Sequence, residues 1–106
     1  LLVEFLYAED CPNRYAALKI LERTLRDASR PYRLEKILVA SEEEAERLRF
    51  VGSPSIRVNG LDVEPNASDT EFSLAPRLYI TRDGFRGHPS AELILAAIES
   101  SRTLAS

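Results

Sequence analysis

Cys11 and His88 are the only cysteine and the only histidine of this 106-residue chain, and they are the side chains best suited to chemistry near neutral pH. Cys11 lies in Ala8-Glu-Asp-Cys-Pro-Asn-Arg14, between a short apolar run and a segment of helical periodicity. A sulfur at a helix N-terminus faces unpaired backbone N–H groups and the positive end of the dipole, which favour thiolate over thiol. Such placement brings a cysteine pKa from ~8.5 into the range of ~3.5–7.5. Arg14, one turn on, adds positive charge, while Glu9 and Asp10 oppose it. The alternative role is a small, partly buried hydrophobe.

With one cysteine there is no internal disulfide, no Cys-x-x-Cys couple and no four-ligand Cys/His zinc site. A reactive Cys11 therefore works through a single sulfur. It attacks a disulfide or a glutathionylated partner and is released by an external thiol, or it is oxidised to a sulfenic acid and capped by glutathione. The expected partners are protein thiols or a small-molecule thiol, with glutathione as co-substrate and neither resident cofactor nor metal. A metal role needs donors from outside the chain, such as two copies sharing one soft ion through Cys11. The Cys-x5-Arg spacing of phosphatases is absent, because position 17 is alanine. His88 either tunes the thiolate as a nearby acid or base, or serves as a loop or capping residue.

Composition narrows the field. Lys+Arg 14 against Asp+Glu 17 gives a net charge of −3, a poor basis for nucleic-acid binding. No apolar run approaches the ~20 residues that span a bilayer. Leu1 to Tyr7, interrupted by Glu4, is too short for a secretory leader, and whether residues precede Leu1 stays open. A cytoplasmic protein without membrane or nucleic-acid partners is the expectation. Asn66-Ala67-Ser68 formally matches a glycosylation acceptor, with nothing else to suggest secretion.

The elements that position Cys11 follow from periodicity, and residues 1–106 read as one domain. Leu2 to Tyr7 is a buried strand. A helix is expected from about Pro12 to Ala28, with Leu18, Leu21, Leu25 and Ala28 on one face and Glu22 paired with Arg26 on another. Tyr32 to Val39 is a second strand. Ser41-Glu-Glu-Glu44 is a capping box opening a helix from Glu42 to about Leu48. Ser55 to Val58 alternates, Asn59-Gly60 is a hairpin signal, and Leu61 and Val63 continue the return. Residues 64–75 are polar and turn-rich, with Phe72 and Leu74 as anchors. Arg77 to Thr81 is another strand, closed by Asp83-Gly84. A final helix follows Pro89, capped by His88 or Ser90, and ends near Ser100. The order is β-α-β-α-β-β-α, with a parallel crossover between the first two strands.

At this point the chain resembles the thioredoxin superfamily. The resemblance rests on Val3-Glu-Phe-Leu-Tyr-Ala-Glu-Asp-Cys-Pro-Asn-Arg14, on Val51-Gly-Ser-Pro-Ser-Ile56, and on the β-β-α ending with its Gly84 turn. It implies an α/β fold, a mixed four-stranded sheet flanked by helices, with a cis-proline at Pro54 beside the cysteine. It further implies that the Ser53 backbone is free to pair with an extended peptide or a glutathione moiety. Cys11, Arg14, Ser53 and Pro54 are the site residues so implied. Ser55 either donates near the sulfur or simply starts a strand. Arg14 stands where the family's second cysteine falls, so a dithiol reductase is excluded. The Gly52 to Gly60 stretch is also similar to small bacterial thioredoxin-like proteins of unassigned activity, some of them likened to organomercurial lyases. That chemistry uses a pair of cysteines, which this chain lacks. A non-catalytic binding module using the Pro54 loop is the competing expectation.

Overall fold

The computed structural model describes residues 1–64 and 71–105, the last four as backbone only. The Asn66 glycosylation motif lies outside the described residues. In chain order the elements are β1 (Leu2–Tyr7), α1 (Arg14–Asp27), β2 (Arg33–Leu38), α2 (Glu42–Leu48), β3 (Ser55–Val58), β4 (Leu61–Asp62), β5 (Tyr79–Thr81), β6 (Gly84–Arg86) and α3 (Ala91–Ala105). A four-stranded mixed sheet runs β2-β1-β3-β4. β1 and β2 are parallel, whereas β3 is antiparallel to β1 and β4 antiparallel to β3.

Alternation along β1 divides the core. Val3 and Phe5, with Ile56 and Val58 of β3, pack against Ala17, Leu21 and Leu25 of α1 and Ile94 and Ile98 of α3. Leu6 points the other way, into a smaller cluster with Val39, Ala45 of α2 and Phe50. Two helices thus cover one face and the short α2 covers the other. Each fully buried Leu, Ile or Phe contributes about 1.5–3 kcal/mol by leaving water. Among the described residues no helix is long and apolar enough to cross a membrane.

Local signals place the helices well. Ser41 Oγ accepts the Glu44 amide at 3.2 Å, and Glu44 Oε2 accepts the Ala40 amide at 3.0 Å, so the capping box closes one residue wider than drawn from sequence. Ser90, not His88, caps α3: its Oγ accepts the Leu93 amide at 3.2 Å. Asn59 and Gly60 both take positive φ, 50° and 86°, as a tight hairpin turn requires. Leu74 packs against the smaller cluster. Phe72, 38% exposed, lies under the Arg49 guanidinium.

Four expectations change, the first being that α3 runs on to Ala105 instead of ending near Ser100. α1 begins at Arg14 rather than Pro12. Glu22 and Arg26 border one surface hollow but form no ion pair within 4.0 Å, in keeping with the small energy of exposed i,i+4 pairs. The strand expected over Arg77 to Thr81 begins at Tyr79 and lies outside the main sheet. It pairs with β6 in a separate two-stranded ribbon, because Asp83-Gly84 makes a turn back instead of ending the strand.

Candidate functional site

Cys11 precedes α1 without capping it. Its N–H donates to the Ala8 carbonyl at 3.2 Å, closing a turn over residues 8–11. Asn13 is the N-cap, and the first helical i→i+4 bond runs from the Ala17 amide to the Asn13 carbonyl at 3.0 Å. Pro12 belongs to the approach, so the amides that would face a capping sulfur lie two residues further on. Cys11 is 7% exposed.

Arg14 is engaged elsewhere. Its Nη1 donates to the Glu9 carbonyl at 3.1 Å and its Nη2 to Tyr15 Oη at 2.7 Å. Its guanidinium lies over the Tyr7 and Tyr15 rings at 5.5 and 4.7 Å. These contacts hold the guanidinium toward a tyrosine pair and the loop carbonyl.

The Ser53-Pro54 peptide is cis, and it is fastened to the cysteine turn. The Ser53 hydroxyl, on a residue 1% exposed, accepts the Ala8 amide at 2.9 Å. The structure therefore brings the Cys11 turn and the Pro54 loop together. The expected free edge at Ser53 is absent. Its N–H donates to the Ala75 carbonyl at 3.0 Å and its carbonyl accepts the Arg77 amide at 2.9 Å, a parallel bridge to Pro76. The chain's own strap over residues 75–77 occupies the backbone groups that were expected to be free.

Ser55 neither approaches the sulfur in any hydrogen bond nor merely starts a strand. Its hydroxyl donates to the Gly52 carbonyl at 2.6 Å and accepts Arg77 Nη1 at 2.9 Å. Arg77 makes a bidentate pair with Asp62, at 2.8 and 2.7 Å, and lies 3.5 Å from Glu64. Its guanidinium sits 4.3 Å from the Tyr79 ring centre, and Tyr79 Oη donates to the Pro54 carbonyl at 2.6 Å. Gly52, at φ +130°, lets the strap approach: a Cβ there would stand 2.9 Å from Arg77 Cβ. Burial works to lower the Arg77 pKa, but the Asp62 bond and the surrounding negative charge outweigh it and raise the value. Burial pushes the Tyr79 phenol up, against the lowering effect of the Arg77 charge. No buried side-chain N or O lacks a hydrogen-bond partner among the described residues.

This network was missed from sequence, since an arginine at the head of a strand ordinarily reads as surface. The signals were polar residues interrupting apolar segments: Ser55 opening β3, Asp62 in the hairpin return, and Arg77 beside Leu78 and Tyr79.

His88 Nδ1 lies 3.2 Å from the Pro89 carbonyl. With Thr81, Arg82, Asp83 and Arg86 it borders a hollow of about 280 Å³ that does not include Cys11. Its neighbour Gly87 does reach the cysteine loop, since a Cβ built there would fall on the Asn13 side chain. Among the described residues no group of three or more His, Cys, Asp and Glu side chains could hold a metal ion. No family model, curated protein or solved structure matches this chain.

Proposed function

We propose that this chain is a thioredoxin-like protein that uses Cys11 as a single thiol to form mixed disulfides with glutathione or protein thiols. The sheet supports the fold reading: it is mixed and four-stranded, with its first two strands parallel and its later strands antiparallel neighbours. The observation that carries the functional reading is the bond from the Ala8 amide to Ser53 Oγ, which joins the cysteine turn to the cis-proline loop. In the proposed step Cys11 loses its proton to solvent and the thiolate attacks a sulfur of oxidised glutathione. A Cys11–glutathione disulfide forms, one glutathione thiolate leaves, and a second external thiol later releases Cys11 by the reverse exchange. Arg14 has the role of fixing the Glu9 carbonyl and the turn that follows it.

The test is mass spectrometry of the native chain after incubation with oxidised glutathione. Wild type gains one adduct that dithiothreitol removes, and Cys11→Ser gains none. An adduct that forms only after denaturation overturns the thiol reading.

Cys11 burial and the self-paired Ser53 backbone favour a second reading, a non-catalytic binding module in which the Pro54 loop is scaffold. On that reading Cys11→Ser leaves partner capture intact.

A further inference from the structure

β2 is the outer strand of the main sheet and pairs with β1 alone among the described residues. The Arg33 amide donates to the Leu1 carbonyl and the Val39 amide to the Tyr7 carbonyl, both at 2.8 Å. Odd-numbered residues thus turn their backbone groups toward β1. The N–H and C=O of Leu34, Lys36 and Leu38 point to the open side.

We propose that this edge is closed by β2 of a second copy of the chain, running antiparallel about a two-fold axis at Leu34. The register follows from charge. Opposed residues in an antiparallel pair share a face, so the two-fold axis must lie midway between the two copies of one residue and set them against each other. Centring on Arg33, Glu35 or Lys36 puts like charges directly opposite, which is destabilising. Centring on Ile37 or Leu38 leaves Arg33 and Glu35 without charged partners. At Leu34 every pair is favourable: Leu34 meets Leu34, Arg33 meets Glu35 twice, and Tyr32 meets Lys36 twice. The Arg33–Glu35 pair within one strand, at 3.1 Å and exposed, becomes half of a four-charge array. The outward backbone groups of Leu34, Lys36 and Tyr32 supply the hydrogen bonds.

A second observation concerns the side chains. Val3, Phe5 and Tyr7 stand beside Leu34, Lys36 and Leu38 on the face that carries α1, and alternation sets Tyr32 on that face too. A hollow of about 240 Å³, bordered by Tyr7, Arg14, Tyr15 and Lys36, opens there. Tyr32, 41% exposed, is thereby offered to the Lys36 side of this hollow in the second copy. Its ring would lie against the Lys36 and Arg14 cations and the two tyrosines.

Sedimentation equilibrium of the full chain up to about 100 μM, suited to an interface at the small end of the usual range, tests the inference. Wild type forms a dimer. Arg33→Glu and Glu35→Arg each raise the dimer dissociation constant roughly tenfold, because symmetry counts each substituted contact twice. An equimolar mixture of the two variants recovers the wild-type constant, as each supplies the charge the other lacks. Lys36→Pro removes an outward donor, leaves the β1 ladder intact and gives monomer. A wild type that stays monomeric overturns the proposal. So do folded single variants, checked by circular dichroism, that dimerise as wild type does or gain nothing on mixing.

Discussion

The Ser53 hydroxyl accepts the Ala8 amide at 2.9 Å across 45 residues of sequence, and this bond joins the turn holding Cys11 to the loop holding Pro54. Both groups are buried, so neither finds water when the other is removed. Ser53→Ala leaves the Ala8 N–H unpaired and should cost about 1–3 kcal/mol in urea denaturation. Exchange of the Ala8 amide should accelerate with it. A loss under about 0.5 kcal/mol, within the range of neutral surface changes, contradicts this account.

Arg77 and Asp62 are 6% and 16% exposed, so removing one partner strands a charge away from water. Arg77→Met should destabilise by about 3–5 kcal/mol. A double-mutant cycle with Asp62→Asn should return a coupling energy of about 1–3 kcal/mol. Additive single effects would mean that the pair does not act as a unit.

Tyr79 gives the fold an alkaline limit. The phenol ordinarily ionises near 10.0, and burial holds it protonated well above that in the native state. The unfolded chain therefore releases this proton first as pH rises. Stability is unaffected below about pH 9 and falls above pH 10 by about 1.4 kcal/mol per pH unit. Tyr79→Phe should flatten that slope while losing the hydrogen bond to the Pro54 carbonyl. An unchanged slope in the variant would assign alkaline unfolding to other groups.

Ser41→Ala removes the acceptor for the Glu44 amide at the start of α2. The cost should be about 1 kcal/mol by thermal or urea denaturation. Ser41→Asp should retain most of the stability, since a carboxylate caps equally well and suits the helix dipole. Equal losses in both variants would show that the cap contributes little.

The contrast between Ser41 and Arg77 explains what could be read in the sequence. Ser41 and Glu44 act within four residues of their partners, and Asn59 and Gly60 turn the chain through their own backbone angles, so their chemistry is written locally. The start of α2, the hairpin turn and the parallel pairing of the first two strands were legible in this way. Arg77 bonds to Ser55 and Asp62 at separations of 22 and 15 residues, contacts that exist only once the chain has folded. The missed β6 has a similar cause, because Asp83-Gly84 both ends strands and reverses them. At Cys11 the error was two residues. Pro12 suits a first helical turn, yet the bond from the Cys11 amide to Ala8 commits that segment to a preceding turn. The closeness of the Cys11 and Pro54 loops was anticipated through the resemblance; the strap across Ser53 was not.

The salt bridge between Asp62 and Arg77 also governs how the polypeptide could be divided. A single nick between positions 64 and 71 would sever the backbone but leave the two pieces clasped through Asp62, Ser55 and the Ser53 bridge. Ending the chain ahead of Arg77 would instead leave the Asp62 carboxylate and the Ser53 carbonyl without their counterparts. The amino-terminal portion should therefore depend on the rest of the chain to complete these bonds.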